Sequence, residues 1–243
     1  MIPKISLIIP TYNEVKNIEI LFKRIHSILK GTNYEAILVD DDSPDGTAKK
    51  AKSLIKKYPL RVIVRKKDRD LSKAVVTGFK AAKGNILGVI DADLAHPPET
   101  IPIMVDIINK NAADLVIGSR QIEGGKIENW PMNRRFVSKL ASVLARPLTN
   151  VHDPMSGFFL MKREVIKNAP LKPRGYKILL EILVKGNYSK VIEIPIIFRD
   201  RLEGESKLSA KVYLKYLIQL IGLYCWKINI LTNIKKDLNR VKN

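Results

Sequence analysis

The sequence predicts an α/β fold with a mostly parallel central sheet and helices on both of its faces. Short apolar runs alternate with segments of helical periodicity through the first half of the chain. The apolar runs are continuous, which is typical of strands that are buried on both sides. With 243 residues, the chain suits one large α/β domain or two small ones, and it can bury a substantial core.

The first half of the chain reads as five strands separated by four helices. The first helix carries apolar side chains on one stripe, from Ile18 to Ile28. Thr47 follows an Asp-Gly turn and suits the N-cap of the second helix. Pro97 and Pro98 suit the start of the fourth helix, where the missing N–H has no partner to lose. The predicted strands are Lys4–Ile9, Glu35–Val39, Leu60–Val64, Ile86–Ile90 and Leu115–Gly118, and the helices are Val15–Lys30, Thr47–Lys57, Leu71–Lys83 and Pro97–Lys110.

The second half is less regular and ends in a long apolar and aromatic helix. We expect one main domain over residues 1–208 and an amphipathic, basic C-terminal helix and tail over residues 209–243. No segment offers the ~20 uninterrupted apolar residues that a membrane-spanning helix needs. The predicted elements are a helix at Asn133–Leu148, a strand at Phe158–Met161, a helix at Tyr176–Lys185, a strand at Val191–Phe198 and a helix at Ser209–Ile230.

The chain is strongly basic, with a formal net charge of +19 and a pI of about 9.9. Such a charge favours polyanionic partners: nucleic acid, an anionic membrane surface or phosphorylated substrates. We found no nucleic-acid-binding motif and few aromatic residues among the basic runs, so nucleic acid is the least favoured partner. The single cysteine, Cys225, excludes an internal disulfide and fits a reducing compartment.

Two aspartates one residue apart, Asp91 and Asp93, follow the predicted strand Ile86–Ile90. Paired carboxylates at a strand end are unfavourable unless a cation or a donor network uses them. Mg²⁺ and Mn²⁺ prefer oxygen ligands and often keep substrate phosphates in their coordination shell. The pair therefore predicts a divalent-metal site for a nucleotide diphosphate, the alternative being salt bridges to the many Lys and Arg residues.

Polar side chains also follow other strands, and the carboxyl ends of parallel strands form the ligand-binding edge of such sheets. Asp40 could accept hydrogen bonds from a nucleoside, or it could simply cap a turn. For Asp41 and Asp42, a role in a turn is as good an interpretation as nucleoside binding. Arg120 could hold a phosphate through two parallel hydrogen bonds. Arg201, Ser206 and Lys207 lie in a polar loop that could close over anionic oxygens or could be a solvated charge run.

Taken together and in order, these motifs resemble those of inverting family-2 glycosyltransferases of the GT-A type, close to the dolichyl-phosphate mannose synthases. The resemblance extends from about residue 4 to residue 210. Ser-Pro-Asp-Gly-Thr and Gly-Glu-Ser-Lys-Leu are its more specific motifs. The matching segments are Ile8-Ile9-Pro10-Thr11-Tyr12-Asn13-Glu14, Val39-Asp40-Asp41-Asp42-Ser43-Pro44-Asp45-Gly46-Thr47, Asp91-Ala92-Asp93-Leu94-Ala95-His96-Pro97-Pro98-Glu99, Gly118-Ser119-Arg120, Trp130 with Asn133-Arg134-Arg135, Asp153-Pro154-Met155-Ser156-Gly157-Phe158-Phe159 and Gly204-Glu205-Ser206-Lys207-Leu208.

The resemblance implies a metal-dependent, inverting transfer of a hexose, most simply mannose from GDP-mannose, to a polyprenyl phosphate such as dolichyl phosphate. It implies a Rossmann-like GT-A catalytic domain and a Mg²⁺ or Mn²⁺ cofactor. Transfer of glucose from UDP-glucose and a catalytically inert, lipid-phosphate-binding homologue are the alternatives. The implied site residues are Pro10, Tyr12, Glu14 and Asp40 for the nucleoside, Asp91 and Asp93 for the metal, and Arg120, Arg135, Arg201 and Lys207 for phosphates, with Asp91, Asp93, Arg120 and Arg201 as the catalytic set.

Three positions depart from the pattern of similar synthases. Ala95 stands where a glutamine commonly supplies a further metal ligand, which leaves that coordination position to water. Asp70 stands where many have glycine, before Leu71-Ser72. Asp42 stands where many have glycine or asparagine.

A lipid acceptor requires access to a membrane, and the C-terminal helix suits that role. Residues 201–243 contain nine Lys or Arg residues against three Asp or Glu residues. The composition predicts a helix that lies in the membrane interface without spanning the membrane. We expect the protein to be peripheral, on the cytoplasmic face of the membrane. Packing of the helix on the domain core or on a membrane partner subunit is the alternative. The predicted interfacial stripe is Tyr213, Tyr216, Leu217, Leu220, Ile221, Tyr224 and Ile228, with Trp226 nearby and Lys211, Lys215 and Lys227 at its flanks.

Overall fold

A computed structural model of the chain describes residues 4–128, 130–199 and 210–241. The predicted strand–helix alternation is present throughout the first half, with element ends shifted by a few residues. In chain order the elements are β1 Ile5–Thr11, α1 Ile18–Ile28, β2 Tyr34–Asp40, α2 Thr47–Leu54, β3 Leu60–Val64, α3 Leu71–Ala81, β4 Ile86–Val89, α4 Ile101–Asn109, β5 Leu115–Ser119, β6 Lys126–Ile127, α5 Met132–Ala145, β7 Phe159–Lys162, α6 Ile178–Lys185, β8 Val191–Pro195, β9 Ile197–Phe198 and α7 Ala210–Val241.

Seven strands form one sheet in the order β3-β2-β1-β4-β7-β5-β8. All neighbouring pairs are parallel except those of β7, which runs antiparallel to both β4 and β5. The prediction of a mostly parallel sheet is therefore confirmed. Because β7 is reversed, its first residue, Phe159, pairs with Val89 near the end of β4 and with Ile117 near the end of β5. The segment that enters β7 is thus delivered to the carboxyl edge of the sheet.

Apolar side chains cover both faces of this sheet, which explains why its strands are continuously apolar. Ile5, Leu7 and Ile9 of β1 pack into one cluster with α1 and α4. Ile8, on the opposite face of the same strand, packs into a second cluster with α3. Burial on both faces accounts for the substantial core that the chain length predicts.

The predicted strand Val191–Phe198 is in fact two short strands. β8 ends at Pro195, and β9 leaves the main sheet to pair with β6 in a separate two-stranded sheet. Proline lacks the N–H that a continued ladder would require, which accounts for the break.

The C-terminal helix α7 extends beyond its predicted end and packs against α5 and α6. Leu220 and Leu223 are buried with Leu148 and Leu180 in a third apolar cluster. The hydroxyl of Tyr224 donates to the Leu144 carbonyl of α5. The predicted interfacial stripe is therefore divided, because part of it faces the protein while Leu217, Ile221 and Ile228 are exposed. The side chains of Lys211 and Tyr213 lie outside the described part of the helix.

Among the residues that the structure describes, no helix combines the length and the apolar character needed to cross a membrane.

A buried ion pair fixes the segment that enters β7. The Arg120 guanidinium, at the end of β5, donates to Asp153 through Nε at 2.7 Å and Nη2 at 2.8 Å. The Arg120 backbone N–H adds a third hydrogen bond at 3.0 Å. Burial alone would raise the pKa of Asp153, but the charge and hydrogen bonds of Arg120 hold this pKa below its usual value.

Asp153→Asn should lower the free energy of unfolding by about 3–5 kcal/mol, because it leaves the buried Arg120 charge without its counter-ion. Since folding lowers the Asp153 pKa, the stabilisation is fully present above an unfolded-state pKa of about 4 and is lost in acid. Urea unfolding at neutral pH provides the measurement. The control, Asp106→Asn, removes the exposed ion pair with Lys110 and should change stability by less than about 0.5 kcal/mol. Equal effects of the two substitutions would contradict the prediction.

Candidate active site

A cavity of about 280 Å³ lies at the carboxyl edge of the sheet. Residues that follow β1, β2, β4 and β5 line it, together with residues from α5, α6 and α7. This is the edge at which ligands bind in open α/β sheets. Six of the sequence-predicted site residues meet there: Pro10, Tyr12, Glu14, Asp91, Asp93 and Arg120.

The paired carboxylates lie in this cavity, directly after β4. Asp93 is 5% exposed, and its Oδ1 accepts a hydrogen bond from the Ala95 backbone N–H at 3.2 Å. Leu94 has a φ of 62°, so the chain turns sharply after the pair. A Cβ atom at Gly157 would lie 2.9 Å from Cγ of Asp91. Any other residue at this position would force the Asp91 carboxylate to move away from the β7 entry segment.

His96 follows the two aspartates in sequence and is buried. Its ring is 2% exposed and packs edge-on against Phe198, with a centroid separation of 4.9 Å, and against Phe158 at 5.7 Å. Burial lowers the pKa of His96 to about 4, so the ring is neutral at physiological pH. Its Nδ1 lies 3.8 Å from Oδ2 of Asp91, and neither ring nitrogen has a hydrogen-bond partner within the described ranges.

The structure does not bring Asp40 to the cavity. Its carboxylate is fully buried and accepts hydrogen bonds from the Thr11 hydroxyl and from the Ser43 N–H and hydroxyl. The next residue, Asp41, lines the cavity instead. Asp41 in turn accepts from Arg65 and from the backbone N–H of Asp70. The nucleoside-binding role of Asp40 stays a prediction, and Asp41 is the better-placed aspartate.

The structure describes two of the four cationic residues that are predicted to bind phosphates. Arg120 lines the cavity, but Asp153 offsets its charge, and its guanidinium lies 5.2 Å from the ring centroid of Phe198. Arg135 is exposed, donates to the Ile127 carbonyl at 2.9 Å and is not among the residues that line the cavity. Arg201 and Lys207 lie outside the described residues, so their predicted roles stay predictions.

Sequence reasoning missed several residues that line the cavity. Arg69 covers the ring of Tyr12, with its guanidinium carbon 3.9 Å from the ring centroid. Asp70, noted only as a departure, caps α3 and accepts from the Gly175 N–H at 2.7 Å. Lys177 precedes α6 and also lines the cavity. Only the departure at Asp70 gave a signal in the sequence, because Arg69 and Asp70 lie more than 100 residues from Lys177 and meet it only in the folded chain.

One end of the cavity is apolar and lies between α5 and α7. Val137 and Ala141 of α5 line this end, opposite Val212 and Tyr216 of α7. The Tyr216 hydroxyl donates to the Ala141 carbonyl at 2.6 Å, which joins the two helices at this point. The cavity therefore combines paired carboxylates with an apolar wall, an arrangement that fits a substrate with a polar head and an apolar chain.

Among the relatives that comparison with known proteins finds, three carry the same name, dolichol-phosphate mannosyltransferase. The chain is 50% identical over 228 residues to a dolichol-phosphate mannosyltransferase of Pyrococcus furiosus, covering 92% of this chain and 64% of that protein. The corresponding Saccharomyces cerevisiae protein is 41% identical over 91% of this chain and 87% of its own length. That of Mycosarcoma maydis is 40% identical over 91% of this chain and 79% of its own length. The chain thus spans less than two thirds of the archaeal relative.

The fold is shared with more distant proteins. A glucosyl-3-phosphoglycerate synthase of Mycobacterium tuberculosis, 20% identical, superposes with a TM-score of 0.66 over 93% of this chain and 80% of its own. The structure of its complex with Mn²⁺, uridine diphosphate and phosphoglyceric acid also superposes with a TM-score of 0.66, over 93% of this chain and 78% of that chain. These likenesses confirm the predicted α/β fold of the GT-A type. Residues 6–169 match the family model for glycosyl transferase family 2, and with the relatives above this match shows that the chain belongs to that family.

Proposed function

We propose that this chain transfers mannose from GDP-mannose to dolichyl phosphate or a similar polyprenyl phosphate, with inversion at the sugar. The observation that carries the proposal is a single cavity that joins the paired carboxylates of Asp91 and Asp93 to an apolar wall between α5 and α7. Three relatives that are 40–50% identical and are named dolichol-phosphate mannosyltransferases support the choice of sugar and acceptor.

A divalent cation, Mg²⁺ or Mn²⁺, fits the residues of the cavity. Asp91 and Asp93 offer the hard oxygen ligands that both ions prefer. Across residues 4–128, 130–199 and 210–241, no group of three or more His, Cys, Asp or Glu side chains is placed to hold a metal. The two aspartates would therefore hold the ion together with diphosphate oxygens and water, consistent with Ala95 at the third position. A bound ion would neutralise charge on the departing diphosphate.

The chemistry requires two anions to meet, and it requires no strong base. A phosphate monoester has a second pKa of about 6, so the acceptor is already a nucleophilic dianion near neutral pH. The protein must hold this acceptor in line with the sugar and offset the repulsion between the phosphates. Arg120, Arg201 and Lys207 are the proposed partners of the phosphates.

The two helices that frame the apolar end also carry an exposed apolar surface. On α5, Met132 is 84% exposed and Phe136 is 70% exposed. On α7, Ile221 is 62% exposed. Exposed apolar side chains on neighbouring helices of a basic protein fit an anionic membrane interface. We define this two-helix surface as Met132, Phe136, Leu140, Leu217, Ile221 and Ile228.

We propose that the two-helix surface docks peripherally on the cytoplasmic face of a membrane and delivers the lipid phosphate to the cavity. In this scheme residues 1–208 supply the chemistry, while residues 209–243 supply much of the docking surface and part of the cavity wall.

Purified protein with labelled GDP-mannose, a divalent cation and dolichyl phosphate should form a lipid-extractable mannose product. Asp91→Asn and Asp93→Asn should each reduce this transfer by about 10²–10³-fold, because they remove charge that holds the diphosphate's counter-ion. Asp42→Asn is a matched control: Asp42 is exposed at a φ of 55°, which asparagine tolerates, and it does not line the cavity. Full metal-dependent transfer by the Asp91 and Asp93 variants would refute their assignment.

Competition between nucleotides separates mannose transfer from the UDP-glucose alternative. Calorimetric titration in the presence of Mn²⁺ should give a lower Kd for GDP-mannose than for UDP-glucose, by about 10-fold or more for a base-selective pocket. Tighter binding of UDP-glucose, with formation of a glucosyl lipid, would replace the proposed donor.

Flotation with anionic phospholipid vesicles tests the two-helix surface. The protein should float with the vesicles, and Phe136→Ser with Ile221→Ser should weaken binding about 10-fold or more through loss of buried apolar area. Ile103→Ser is the control, because Ile103 is 59% exposed on α4, away from this surface. Absence of binding even at low salt would contradict the membrane proposal and favour a partner subunit on this surface.

A further inference from the structure

The His96 side chain is a buried polar group that the proposed function does not use. It follows the paired aspartates by three residues and lines the same cavity. Neither of its ring nitrogens has a hydrogen-bond partner among residues 4–128, 130–199 and 210–241. Most buried side-chain polar atoms in proteins are hydrogen-bonded, because an unpaired one loses its water without compensation. The unpaired nitrogens therefore indicate a partner that comes within reach when the site is occupied.

Aromatic and backbone contacts hold the His96 ring in place. The rings of Phe158 and Phe198, which pack against it, are themselves buried. The Arg199 N–H, directly after β9, donates to the Ala95 carbonyl at 3.1 Å and so fixes the residue that precedes His96. The ring nitrogens therefore have defined positions in the cavity wall, as a group that orients a ligand-binding side chain requires.

One carboxylate oxygen of the paired aspartates lies near this ring. His96 Nδ1 is 3.8 Å from Oδ2 of Asp91, which is about 0.9 Å longer than a usual N–H···O hydrogen bond. The Asp91 side chain is 27% exposed, so it can rotate toward a ring that is held in place. Burial lowers the pKa of His96 to about 4, so the ring is neutral and one nitrogen carries the proton. A carboxylate beside Nδ1 favours the tautomer with the proton on Nδ1.

Packing alone does not explain a histidine at this position. Phenylalanine could make similar ring contacts with Phe158 and Phe198 without burying two polar nitrogens. What histidine adds is an N–H donor that points into the site of the paired aspartates.

We propose that His96 is a positioning residue for the divalent cation: its Nδ1–H donates to Oδ2 of Asp91 when the cation is bound and holds that carboxylate in one orientation. The inference rests on the proposed function, because it takes Asp91 to hold the ion. Metal-binding carboxylates are commonly hydrogen-bonded to a further protein group, and loss of that group typically lowers metal affinity by about 10- to 100-fold.

Mn²⁺ binding in the presence of GDP tests this role without turnover. In calorimetric titrations of the full chain, His96→Phe should raise the Kd for Mn²⁺ by about 10- to 100-fold. His96→Asn should recover part of that affinity, because its amide nitrogen takes the place of Nδ1 and can donate. A packing role predicts the opposite order, since phenylalanine keeps the aromatic contacts and asparagine does not. Unchanged Mn²⁺ affinity in His96→Phe, or no recovery in His96→Asn, would overturn the inference.

His26→Phe is the matched control for the substitution. His26 is partly buried on α1, its Nδ1 lies 3.1 Å from the Tyr34 hydroxyl oxygen, and it does not line the cavity. This variant should bind Mn²⁺ as the unsubstituted protein does. Asp91→Asn separates the inference from the proposed function. If Asp91→Asn weakens Mn²⁺ binding and His96→Phe does not, the inference alone fails; if Asp91→Asn has no effect, the proposed metal site fails with it.

The tautomer of His96 gives a second readout that a packing role would not determine. The chain has three histidines, so the His26→Phe and His96→Phe variants assign their signals in ¹⁵N NMR spectra of histidine-labelled protein. With Mg²⁺ and GDP bound, the proton of His96 should be on Nδ1. A proton on Nε2 with Nδ1 unprotonated would contradict the proposed hydrogen bond.

Discussion

The reversed strand β7 and the ion pair that anchors its entry are the constraint on which the site depends. Antiparallel pairing places the first residue of β7 at the edge where β4 and β5 end. Asp153, at the entry to this segment, is held by Arg120 of the β5 end, and the Glu193 carboxylate of β8 accepts from the Asp153 N–H at 3.0 Å. Gly157 can then pass against Asp91. A displaced entry segment would change the close approach of Gly157 to the Asp91 carboxylate.

The same ion pair explains why an arginine with a predicted phosphate role also has a structural role. Removing the charges of Arg120 and Asp153 from water is unfavourable. Two side-chain hydrogen bonds and one backbone hydrogen bond between these residues offset that cost. The paired guanidinium remains in the cavity wall, where Asp153 offsets its charge. Arg69 and Lys177 are further cationic residues among those that line the cavity.

Much of the fold was predictable from the sequence, because continuous apolar runs and helical stripes are local signals. The paired aspartates were also predictable, since their position after an apolar run places them at a strand end. The antiparallel direction of β7 was not, because the pattern of a short buried strand does not encode its direction. The choice between Asp40 and Asp41 depended on where β2 ends, since consecutive strand residues face opposite sides. Asp153 and Asp70 acquire their roles from contacts between residues that are distant in sequence.

The C-terminal helix is part of the cavity as well as part of a surface. The division at residue 208 follows the change in composition, but α7 supplies Val212 and Tyr216 to the cavity and Gln219 to the backbone of Lys177. Its outward residues continue the exposed apolar side chains of α5. The two helices therefore contribute both to the lining of the cavity and to the exposed apolar surface.

The most direct measurement is a crystal structure with GDP-mannose and Mn²⁺ bound. The account predicts the ion between the Asp91 and Asp93 carboxylates and the diphosphate, with the sugar directed toward the apolar end between α5 and α7. A diphosphate bound elsewhere, with Asp91 and Asp93 held only in ion pairs within the protein, would contradict it.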